Sequence, residues 1–138
     1  MKLLLIIVLG CVGLFVVLQV CWSFAFQWSR RKHHGMARDA FLRYFTERGM
    51  SADLAAAVYD YYRSQVKSRT FGVSPQDEIS VLFNQAEEDV ENDFTSILKK
   101  LGLSMPSDDA WDAWGRPPVR TVEQMVAAVA WASEHQPA

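Results

Sequence analysis

The chain of 138 residues has two cysteines, and both, Cys11 and Cys21, fall within its first 21 residues. Everything after them lacks a thiol. That excludes a disulfide framework or a cysteine metal site there, and it agrees with a cytoplasmic domain. Histidine is nearly as scarce: His33 and His34 are adjacent, so they project to different sides of the chain with no third ligand close by, and His135 stands alone near the end. No segment alternates apolar and polar residues with period two, so no sheet is expected. Charge is missing from one long stretch, Leu3 to Trp28.

That stretch is strongly apolar from Leu3 to Leu18 except at Gly10, Cys11 and Gly13. It continues through Val20, Cys21, Trp22, Phe24 and Phe26 until Arg30-Arg31-Lys32 closes it. At ~1.5 Å per helical residue its length exceeds the ~30 Å hydrocarbon core of a bilayer, so residues 1–29 are expected to form a transmembrane helix with lipid as a partner. Trp22 and Trp28 suit an interfacial belt, and Arg30, Arg31 and Lys32 are residues that resist translocation. The expected topology is single-pass, with the N-terminus outside and the rest of the chain in the cytoplasm. Two alternatives use the same residues. One is a signal peptide cleaved near Ala25, for which Ser23-Phe24-Ala25 supplies a small-x-small pattern, leaving a secreted helical protein. The other is a lipoprotein site at Val8-Leu9-Gly10-Cys11, which has only Lys2 ahead of it.

The remainder is long enough for one small domain. Residues 30–35 read as a basic linker, 36–134 as a helical domain and 135–138 as a tail that frays from Glu134. From Arg30 to Arg69 nine Lys/Arg oppose four Asp/Glu, whereas from Thr70 to Ala138 four oppose twelve. The basic half suits anionic lipid head groups. The acidic half argues against nucleic acid and favours a membrane or membrane-proximal protein with a basic patch.

Helical spacing organises the domain. Ala37, Ala40, Phe41, Tyr44 and Phe45 predict a helix over 36–48, with Gly49 at its C-terminal stop. Ser51 is placed to cap a second helix whose inner stripe is Leu54, Val58, Tyr61, Tyr62 and Val66. Of Tyr59, Tyr61 and Tyr62, two fall on that stripe, which favours packing over a ligand platform. Residues 68–73 break the pattern as a loop. Ser74-Pro75-Gln76-Asp77 then opens a short helix burying Ile79, Leu82 and Phe83. Val90, Phe94, Ile97, Leu98 and Leu101 form the clearest stripe, ended by Gly102. Ser107 starts a brief helix carrying Trp111 and Trp114. Thr121-Val122-Glu123-Gln124 is a capping box that opens a last helix, with Val122, Met125, Val126, Val129 and Ala130 inward.

The candidate site is the acidic start of the longest-striped helix: Glu87, Glu88, Asp89, Glu91 and Asp93. Pairs one turn apart have the spacing to share a divalent cation, but the alternating oxygen ligands and central glycine of a cation loop are missing. The order of helix, long loop, acidic-started helix, Leu103-Ser104-Met105-Pro106, short helix and Thr121-to-Val126 helix resembles the acyl carrier proteins over roughly Ser51 to Ala132. That family carries 4′-phosphopantetheine on the serine of Asp-Ser-Leu at the start of its second helix. The corresponding place here is Glu87-Glu88-Asp89-Val90, which has no hydroxyl, and Thr95 and Ser96 come two turns later. The resemblance therefore implies the fold and an acidic docking helix without the carrier chemistry or its cofactor. The expected protein is all-α, a transmembrane helix followed by a bundle of four to six helices. It is a tethered interaction module with no catalytic, cofactor or metal residues, presenting the acidic helix to a partner. A divergent carrier-like protein, or a metal protein using Glu87, Glu88, Asp89, Glu91 and His135, is the alternative.

Overall fold

The computed structural model describes residues 10–24, 33–67, 70–83 and 85–137. The chain divides into two units between His33 and His34. In the first, residues 10–24 form a helix, α1, every residue of which is exposed. The 15 described residues at ~1.5 Å each rise about 22 Å, against the ~30 Å of a hydrocarbon core. No helix among the described residues is long and apolar enough to cross a membrane. The transmembrane helix expected over 1–29 is therefore not supported, nor is the single-pass location with an outer N-terminus and a cytoplasmic domain. Of the expected interfacial residues, Trp22 sits on α1 and is 72% exposed. Trp28, Arg30, Arg31 and Lys32, with residues 1–9 and Ala25, lie outside the described residues.

The second unit is an all-helical bundle. Its helices are α2 (Arg38–Thr46), α3 (Ala52–Ser64), α4 (Ile79–Phe83), α5 (Glu87–Lys100), α6 (Asp108–Trp114) and α7 (Val122–Glu134). Helix α3 is the hub: α2, α5 and α7 pack against it, and α5 also packs on α7. The core is drawn from the expected stripes. Phe41 and Phe45 of α2, Val58 and Tyr62 of α3, Ile97 and Leu98 of α5, and Met125, Val126 and Val129 of α7 are all essentially inaccessible. Ala37 and Ala40, expected inward, are exposed, because phenylalanines fill the α2–α3 contact.

The helix ends follow local chemistry. Gly49 and Gly102 adopt left-handed φ values of 80° and 69°. In each case the amide after the glycine returns to the carbonyl five residues earlier, Met50 to Phe45 and Leu103 to Leu98. This is the Schellman closure that glycine permits without steric cost. Thr121 and Gln124 form the reciprocal box: the threonine hydroxyl accepts from the Gln124 amide at 3.3 Å, and the Gln124 side-chain oxygen accepts from the Thr121 amide at 3.1 Å. Ser107 caps α6 by accepting from the Ala110 amide. Ser51 differs from expectation, occupying the N-cap position of α3 without a side-chain bond.

The segments read as linker and loop are structural. Phe71, Gly72 and Val73 are buried, and the backbone of Gly35 and Met36 lies against them. A Cβ on Gly72 would collide with the Met36 carbonyl oxygen and the Gly35 backbone, so only glycine admits this approach. The Tyr59 hydroxyl donates to the Met36 carbonyl at 3.0 Å, and the Met36 amide donates to the Ser74 hydroxyl at 3.2 Å. Ser74 thus holds this strap instead of capping α4. An isolated antiparallel bridge joins Glu78 to Thr121, the only extended pairing among the described residues. Nor does the tail fray. The Gln136 side chain accepts from the Ser104 amide at 2.7 Å and donates to the Ser104 and Ala132 carbonyls.

Candidate functional site

The acidic run of α5 divides. Glu87 is the first helical residue, with its side chain outside the described atoms; Glu88, Asp89 and Glu91 are exposed. The Asp89 carboxylate accepts from the Ala86 amide at 3.0 Å and so satisfies an unpaired donor at the helix start. Glu88 and Asp89 lie in the first turn, where the helix dipole favours an acidic side chain.

Asp93 does not belong with them. It is 4% exposed, and its Oδ1 accepts a 2.6 Å hydrogen bond from the Tyr61 hydroxyl on α3. Its other oxygen, the Tyr62 hydroxyl and the Gln85 side-chain oxygen are buried with no partner within hydrogen-bonding distance. Burial raises the Asp93 carboxyl above the usual range, and the facing Tyr61, Gln85 and Tyr62 groups oppose that only in part. Burial, then the Asp93 partnership, pushes Tyr61 up to about 12, and burial pushes Tyr62 up as well. The position was readable. Asp93 lies three residues after Val90 and four before Ile97, on the apolar stripe itself. Counting it with the surface acids followed sequence proximity and overlooked helical phase.

No group of three or more potential metal ligands converges among the described residues. His135, the distant member of the alternative metal set, is engaged elsewhere. Its ring stacks on Trp131 at 4.5 Å and its Nδ1 lies 2.8 Å from the Trp131 carbonyl oxygen.

A second feature joins α6 and α7. Trp114 and Trp131 stack with centroids 4.5 Å apart and planes 5° from parallel. Trp111 lies 5.4 Å from Trp114 and 5.1 Å from Trp131, and it meets Phe94 of α5 edge-on at 5.3 Å. All three tryptophans are half-buried, and α6 contributes no fully buried residue. The expectation had singled out Trp111 and Trp114 but not Trp131, whose place beside the α7 stripe rather than on it marks a residue at the core's edge. Asp108, Asp109 and Asp112 on α6 and Glu134 at the end of α7 are exposed. Arg116 pairs with Asp112 at 2.8 Å and reaches Asp108 at 3.8 Å.

Comparison with protein-family models, curated proteins and solved structures gives no match to this chain.

Proposed function

We propose that the helical unit is a protein-interaction module without catalytic activity, which presents Glu88, Asp89 and Glu91 at the start of α5 to a basic patch on a partner. The observation that carries this reading is the division of α5. Of the described α5 carboxylates, Asp93 is bound into the core, while Glu88, Asp89 and Glu91 face solvent and make no ion pair among the described residues. Such charges contribute little to stability but steer and select a complementary partner. The test is a quantitative pull-down with the full chain beside a triple variant, Glu88→Gln, Asp89→Asn and Glu91→Gln. A partner held by the first and lost by the second supports the docking face. Identical captures make these charges a solvated surface, and reproducible turnover by the pure full chain sinks the non-catalytic reading.

A carrier-like origin is the second reading, favoured by the succession of α3, a long connection that holds the short α4, the acidic-started α5, short α6 and α7. It assigns no prosthetic arm, since residues 87–90 offer no hydroxyl. Intact mass after coexpression with a phosphopantetheinyl transferase tests that point, and an adduct would restore the carrier chemistry.

A further inference from the structure

Asp93 divides α5 into two differently held halves. Among the described side chains of the helix it is the first that is buried. Glu88, Asp89, Glu91 and Asn92 are exposed and Val90 is half-buried, whereas Phe94, Ile97 and Leu98 follow Asp93 into the core. Apolar packing therefore fixes the last two turns. The first two depend on Val90 and on the polar joint that Asp93 makes with α3.

That joint is short of a donor. Tyr61 donates to Asp93 Oδ1 at 2.6 Å. The other carboxyl oxygen, the Tyr62 hydroxyl and Gln85 Oε1 are buried without partners, and Tyr62 and Gln85 both face the carboxyl. With Asp93 ionised, these three atoms offer one O–H donor, on Tyr62, to two bare acceptors. A proton on Oδ2 turns one of those acceptors into a second donor.

The surroundings supply no countercharge. Asp93 makes no ion pair among the described residues. Asp89, one turn earlier on α5, is a like charge that disfavours ionisation further. Lys100 lies over the Tyr61 ring, 5.3 Å from its centroid, and the buried residues of α7 are all apolar. Asp93 also stands beyond the first turn, where the helix dipole fades. A buried carboxylate without a cation is costly, and exposing it relieves that cost. The segment with least to lose by moving is the first two turns of α5, which bury no described side chain ahead of Asp93. We infer that Asp93 is a proton-operated latch: as a carboxylic acid it closes the first two turns of α5 onto α3, and on ionising it releases them. Phe94, Ile97 and Leu98 keep the rest of the helix in place. Because burial raises the Asp93 carboxyl, the latch is closed below the raised value and opens as pH rises through it. The latch is a property of the chain alone and goes beyond the docking reading. It stands whether or not Glu88, Asp89 and Glu91 meet a partner, and where they do it sets how firmly they are presented.

The test follows backbone amide order parameters and the Asp93 carboxyl-carbon resonance of the full chain by NMR across the acid-to-neutral range. It compares wild type with Asp93→Asn and Tyr62→Phe. In wild type the amides of residues 88–92 should fall from the rigid value of ~0.85 to below ~0.6, in step with the Asp93 titration. Those of Ile97 and Leu98 should stay rigid. Asp93→Asn never ionises and should keep residues 88–92 rigid throughout. Tyr62→Phe removes a group that favours the charged form, so the step should move to higher pH. A wild-type chain with no step overturns the inference. So does a step that persists in Asp93→Asn, which would belong to the exposed acids, or an equal loss at Ile97 and Leu98, which would be opening of the whole bundle. If Asp93→Asn does not fold, the wild-type pattern and Tyr62→Phe decide, and a midpoint that stays or falls in Tyr62→Phe contradicts the latch.

Discussion

Two corners of the helical unit are built from opposite materials. At the strap, Phe71, Gly72 and Val73 are buried with the backbone of Gly35 and Met36 against them, and hydrogen bonds from Tyr59 and to Ser74 tie that backbone down. At the α6–α7 corner, three tryptophans, the largest residues in the chain, stay half out of the core. Burial here follows what packs against a segment. A dry corner without periodicity is structural, whereas a half-exposed corner of large aromatics is where a partner can gain most.

The sharpest way to break this contrast is Gly72→Ala. The added Cβ meets backbone atoms that cannot rotate away, so the expected loss is about 3 kcal/mol, at the top of the usual range for overpacking. Denaturant unfolding measures it, and a loss below about 1 kcal/mol would show that the strap yields. Next comes Asp93→Ala, expected to cost about 2 kcal/mol because the Tyr61 hydroxyl loses its acceptor in a buried place. Asp93→Asn behaves differently, and pH separates the two. Folding raises the Asp93 carboxyl, so the native state holds that proton more tightly than the unfolded chain does. The group's contribution is fully present below the unfolded aspartate value of ~3.9 and is lost as pH rises through the raised folded value. Asn stays neutral, so the variant should be the more stable protein above that window, with the difference closing on acidification. A difference that widens toward low pH would reverse the sign.

Smaller effects are expected at the aromatic corner and the caps. Trp114→Leu should cost about 1 kcal/mol, the order of an aromatic pair beyond its buried area, and well below the ~3–5 kcal/mol of removing a fully buried aromatic. A loss as large as that of Gly72→Ala would make the corner part of the core. Thr121→Ala should cost about 1 kcal/mol through its reciprocal box. Ser51→Ala should cost at most a few tenths, since that hydroxyl makes no cap bond. Thermal melts of the last two side by side test whether cap position or cap geometry sets the energy.

Much of the bundle was legible because its helices carry their own punctuation. The α5 stripe, Gly49 and Gly102, Ser107 and the Thr121–Gln124 box each state a period or a stop, and the structure uses them. The strap was illegible because Gly72 matters through the side chain it lacks, and the partner of Ser74 is 38 residues away. Ser51 satisfies the sequence rule for a cap but not its geometry. Gln136 was read as tail because its contacts with Ser104 are long-range. The apolar stretch from Leu3 misled in another way: it carries the hydropathy of a spanning segment, yet no helix among the described residues is long and apolar enough to cross a membrane. Within the candidate site, Glu88, Asp89 and Glu91 keep the exposure expected of a docking face, and Asp93 leaves it for Tyr61.

The deciding measurement is the ionic-strength dependence of affinity between the full chain and the partner it captures, made in parallel on the α5 triple charge variant. Exposed charge pairs are screened over a Debye length of ~10 Å at 0.1 M salt. A docking face at Glu88, Asp89 and Glu91 should give wild-type affinity that falls steeply with salt, and variant affinity that is weaker at low salt and nearly flat. The same salt slope in both proteins would remove the acidic start of α5 from the interface.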